Sequence, residues 1–238
     1  MKKQILKSAL IAMAGVGLTL GGFSIASALT IDPTIYDGYS ETTLTAWGSI
    51  VISPDGYADA KTVNGYTALG VTSPGNDVDG EIDGNEAITF NFTNGLVVSD
   101  FTVAFLFANG YFSDTVNEIS ITTADTAGDL VTSNYLISLE AIYPDTYNLK
   151  GADPGASVTV ISDPVGTGSG VFTINNPFGN AKILSMTFFA ANSTAAGAAD
   201  SDYAIGKITV VPEPGTILLF GTGLAGLAAV GRRRKSQA

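Results

Sequence analysis

The chain has 238 residues, with 22 acidic against 11 basic side chains, a formal net charge of −11, and neither Cys nor His. Without those two residue types there are no disulfides, no thiolate or imidazole zinc sites, and no Ser-His-Asp or Cys-His catalysis. The acidic balance repels nucleic acid and anionic lipid.

The N-terminus opens with Lys2, Lys3 and Lys7, followed by an apolar stretch from Ile5 to Phe23 and the A-x-A site Ala26-Ser27-Ala28. This order reads as a secretory signal peptide, with cleavage expected after Ala28. Three segments follow: 1–28 as signal, 29–210 as ectodomain and 211–238 as tail. Outside the two ends only Lys61, Lys150, Lys182 and Lys207 remain, against 21 acids, so the ectodomain carries a net −17. It is long enough to bury one core.

Apolar and β-branched runs separated by Gly, Asn, Asp and Pro fill the ectodomain. The first expected strands are Gly48–Ile52 and Tyr57–Val63, with Asn64-Gly65 as a tight turn. Trp47, the single tryptophan, joins Tyr36, Tyr39, Tyr57 and Tyr66 in an aromatic-rich N-terminal half. The next strands are Ala87–Thr93 and Leu96–Ala108. Ile88, Phe90 and Phe92 share one face of the first, and Asn94-Gly95 is expected to turn the chain between the two. Asn109-Gly110 is a third turn signal. Val116–Thr123, Asn134–Ile142, Ser157–Ile161, Gly170–Asn175, Lys182–Ala191 and Tyr203–Val211 complete the set. No segment of the ectodomain combines helical period with caps. The fold class is therefore all-β, a two-sheet sandwich of jelly-roll type.

Between the early strands, Asn76 to Glu86 holds five carboxylates in ten residues: Asp77, Asp79, Glu81, Asp83 and Glu86. Hard oxygen ligands in a glycine-bearing loop are what Ca²⁺ takes. Asp77, Asp79, Glu81 and Asp83 are the candidate ligands, with Asp114 and Glu118 as candidates from across the sheet. The other account of the same run is a solvated acidic loop. The EF-hand pattern itself fails, because its bidentate Glu position falls on Ile88.

The tail reads Val211-Pro212-Glu213-Pro214, then an apolar stretch from Thr216 to Val230, then Arg232, Arg233, Arg234 and Lys235. The stretch is shorter than the roughly 20 apolar residues of a full span. It still suits temporary insertion as a short hydrophobic helix, with the arginines held on the cytoplasmic side. These three parts in this order resemble the PEP-CTERM sorting signal of bacterial exported proteins. The resemblance implies secretion machinery and a membrane-embedded cysteine transpeptidase of the exosortase type as partners. That enzyme is expected to cut near Val211–Pro214 after transient inner-membrane anchoring, leaving the product at the cell surface or outside. A weaker resemblance covers most of the ectodomain. Gly80-Glu81-Ile82-Asp83, Val116-Asn117-Glu118 and Asn176-Pro177-Phe178-Gly179 are similar to sandwich domains found ahead of such tails.

Three functions fit these residues. The first is a structural or adhesive protein of the surface, extracellular matrix or biofilm, with no catalysis. The second is a carbohydrate-binding module that holds extracellular polysaccharide. The third is a carboxylate-dependent glycan hydrolase, which no motif supports.

Overall fold

The computed structural model describes residues 28–39, 42–45, 47–53, 56–74, 79–111, 117–126, 134–142, 146–190 and 201–211. Ala26, Asp77, Asp114, Pro212, Glu213, Pro214, Arg232, Arg233 and Arg234 lie outside them, as do the remainder of the signal segment and the apolar tail.

The chain folds as an all-β, sandwich-like body. Its strands are β1 (Leu29–Ile31), β2 (Thr42–Leu44), β3 (Gly48–Ser53), β4 (Tyr57–Val63), β5 (Tyr66–Thr72) and β6 (Ala87–Ala104), then β7 (Ile119–Thr126), β8 (Asn134–Ile142) and β9 (Thr146–Lys150). The last four are β10 (Ser157–Ser162), β11 (Val171–Asn175), β12 (Lys182–Ala190) and β13 (Ala204–Val211). One short 3-10 turn, Pro33–Tyr36, is capped by Asp32, whose carboxylate accepts from the Thr34 N–H at 3.0 Å.

All pairings are antiparallel. Strand β6 is long enough to serve both layers. Its first half pairs with β3 and β12, and β12 continues to β7, β8 and β9. Its second half pairs with β13 and β11; β13 leads to β5 and β4, and β11 to β10. The expected turn at Asn94-Gly95 is a bulge instead. Both residues take left-handed φ, 67° and 70°, as a tight hairpin would require. Yet Asn91 pairs with Ser185 and Leu96 with Ile183 on the same partner strand, so β6 bends without reversing. Where the hairpin does form, at Asn64-Gly65, Val63 pairs directly with Tyr66.

A second irregularity of β6 sits at Ser99, opposite the register shift between Thr209 and Val210. It moves the inward positions from Val98 to Phe101 and Val103, all fully buried. Strand β6 then stops at Ala104, short of the expected Ala108, where Phe105 takes φ 68°. The core joins the layers through aromatic contacts. Phe188 of β12 meets Phe90 at 5.8 Å and Phe101 at 5.4 Å, both edge-on. Strands β1, β2, β5 and β9 carry no clear sequence signal. The first two have only three residues, and β5 hides its period behind Ala68 and Gly70 in a continuously buried run.

Candidate functional site

The acidic run folds back onto the sheet. Glu81 bridges to Val71 of β5, and Ile82 to Tyr203 just before β13. The Ile82 N–H donates to the Tyr203 carbonyl at 2.6 Å, and the Gly80 N–H to that of Val71 at 3.0 Å. Glycine is required where the two segments touch. A Cβ at Gly70 would stand 2.3 Å from the Gly80 carbonyl, and Gly80 itself takes φ 78°.

Once the loop is seated, its carboxylates find protein partners. Glu81 is buried, meets the Lys61 ammonium at 2.9 Å and hydrogen-bonds the side chain of Asp202. Its pKa is pushed up to about 8 by desolvation first and by the Asp202 charge second, against the opposing pull of Lys61. Glu86 is fully buried. It accepts from the Ser73 hydroxyl at 2.5 Å and from the Asp83 N–H at 3.2 Å, closing its own turn. Asp79 is exposed and Asp83 half-buried. Glu118 is buried elsewhere and accepts from the Phe107 N–H. Among the described residues no group of three or more acids is placed to hold a metal ion. A cation captured by this loop would have to draw Glu81 away from Lys61. Sequence reasoning singled out the acids but not Lys61, Asp202 or Ser73, which lie far from them in sequence. The one available signal was that Lys61 is among only four lysines of an acidic domain.

Glu81 makes the domain sensitive to pH. The folded state holds its proton up to about pH 8, whereas the unfolded chain releases it near the ordinary 4.5. The stabilisation is fully present below that lower value and is lost as pH rises through the upper one. The slope within the window is at most about 1.4 kcal/mol per pH unit. Melting temperature is expected to fall between those limits, and Glu81→Gln to flatten the fall. An equally steep decline in the Gln variant would contradict the assignment.

Trp47 is half-buried. It stacks on Phe90 at 5.9 Å with 27° between planes, lies 5.6 Å from Phe92 and takes Tyr36 edge-on at 6.4 Å. Its ring faces the core, so it does not form an open stacking platform. Tyr39 and Tyr57 are the exposed aromatics of this half, at 44% and 45%. They sit beside each other because the Ala58 N–H donates to the Tyr39 carbonyl at 2.8 Å.

The two ends of the described chain meet at one edge. Leu29, the residue after the expected signal cleavage, opens β1 and pairs with Val210. Val210 is buried and also pairs with Val98 of β6, while Val211 pairs with Val97. Residues 210–235 match the family model of the PEP-CTERM protein-sorting motif. The chain carries that motif. It marks an exported protein targeted to an exosortase, with a transient membrane-anchored stage. No curated protein and no solved structure matches the chain. Among the described residues no helix is long and apolar enough to cross a membrane. The sorting motif begins inside the fold, since its first two residues are the last two of β13. Only Pro212 to Gly215 separate the sheet from the apolar stretch, a reach of at most about 14 Å.

Proposed function

We propose that this protein is a structural or adhesive component of the cell surface or extracellular matrix, delivered there by exosortase processing. The observation that carries this reading is the sorting motif running directly out of the last strand of a sandwich-like domain. The chemistry of the ectodomain supports it. Glu81 and Glu86 are engaged by Lys61, Ser73 and the Asp83 backbone, and Trp47 by Phe90 and Phe92. These are the uses a domain makes of such groups when stability and solubility are its task. The ectodomain's net −17 suits a hydrated exterior.

A carbohydrate-binding role is a second proposal, favoured by the exposed neighbours Tyr39 and Tyr57. The exported protein is to be screened against polysaccharides with and without Ca²⁺, reading both binding and release of reducing ends. The structural reading expects neither binding that Tyr39→Ala and Tyr57→Ala abolish nor hydrolysis. Saturable binding lost in those variants would transfer the assignment to a sugar-binding module. Binding that appears only with Ca²⁺, and is lost in Asp79→Asn, would make the acidic loop its metal site.

A further inference from the structure

The free strand edges of the domain are not alike. The outer edge of β4 is covered: the Gly38 N–H donates to the Ala58 carbonyl at 2.7 Å, and the Asp37 carboxylate accepts from the Ala60 N–H at 3.0 Å. Strands β1 and β2 have three residues each, and β9 closes on Lys150. Strand β10 differs. Its six residues, Ser-Val-Thr-Val-Ile-Ser, carry no charge and no proline, and it pairs only with β11. Among the described residues no backbone group bonds to its outer side. Val158 and Val160 face the core, which fixes the strand, while Ser157, Thr159 and Ile161 are exposed. Soluble proteins usually blunt such an edge with lysine, proline or a bulge. Here the bulge between Val160 and Ser162 leaves Ile161 bare at 56% exposure.

We propose that β10 is a self-association edge, on which a second copy of this chain adds its own β10 antiparallel to the first. This deepens the structural reading above and rests on it, because it supplies the contact through which a matrix component would assemble. Charge selects a second copy as the occupant. Two domains of net −17 repel over most of their surfaces, and an uncharged six-residue edge is where they approach at least cost. A two-fold pairing is self-complementary: it sets Thr159 against Val160 of the other copy and supplies the main-chain bonds the edge lacks. Asp153 and Asp163 flank the strand in sequence and oppose the approach, so the association should strengthen with salt.

The test is sedimentation velocity of the full chain in mild detergent, over a concentration series at low and high NaCl. Using the full chain in every arm makes any association through the apolar C-terminal stretch common to all. The wild type is expected to dimerise, more tightly at high salt. Thr159→Asp with Ile161→Asp should raise the midpoint concentration by about tenfold or more. Ile35→Asp, the same kind of charge at an exposed site on the 3-10 turn, should leave it unchanged. If the double variant melts early, Ile161→Asp alone gives the same contrast. Identical sedimentation of wild type and β10 variants, or weakening of the wild-type dimer by salt, overturns the proposal. Either result, with surface delivery intact, would leave the structural reading standing without this contact.

Discussion

In a host that makes the sorting enzyme, replacing Pro212, Glu213 and Pro214 by alanine is expected to leave the chain uncut and ending at Ala238. The prolines do two physical jobs. They lack the N–H that would extend β13, so the ladder stops at Val211. They also bias the residue before them toward extended backbone, which keeps the apolar stretch from growing backwards as helix into the motif. With both removed, an enzyme that needs a short extended peptide beside the membrane no longer meets one. Intact mass spectrometry reads the result: a C-terminus near Pro212–Pro214 in the wild type and the full C-terminus in the variant. Equal cutting of the two would show that the motif is not what the enzyme reads. Deleting Arg232–Lys235 should also impair processing, since the basic stop holds the stretch in place.

Phe188→Ala is expected to destabilise the ectodomain by about 3–5 kcal/mol, as large aromatic truncations in packed cores do. Typical domains hold only about 5–15 kcal/mol in all, so one substitution would remove a large share. The cause is position. Phe188 touches Phe90 from the first half of β6 and Phe101 from the second, so its ring closes the sandwich on both sides of the bend. The neighbouring Phe189 points to the other face of β12 and is only half-buried. Phe189→Ala should therefore cost clearly less. Urea midpoints for the two variants compare them directly; equal losses would mean that Phe188 is not the keystone of the aromatic core.

Local chemistry by itself determined much of this protein. Alternation at Ile88, Phe90 and Phe92 identified an inward face, and all three are buried. The Asn64-Gly65 turn and the bounds of Tyr57–Val63 and Asn134–Ile142 were legible because period and turn residues agreed. So was the sorting motif, whose parts are contiguous in sequence. Tertiary structure decided the rest. Asn94-Gly95 has the backbone angles of a hairpin, but pairing with β12 on both sides makes it a bend, and no local signal carries that distinction. Strand β5 became visible only through its partners, because Ala68 and Gly70 blur its alternation. The acidic loop shows the same limit in electrostatic form. Carboxylate spacing alone suits a cation, but Lys61 and Asp202 reach Glu81 only once the sheet has formed. Charge density is a property of sequence, whereas the partner of each charge is set by which strands become neighbours.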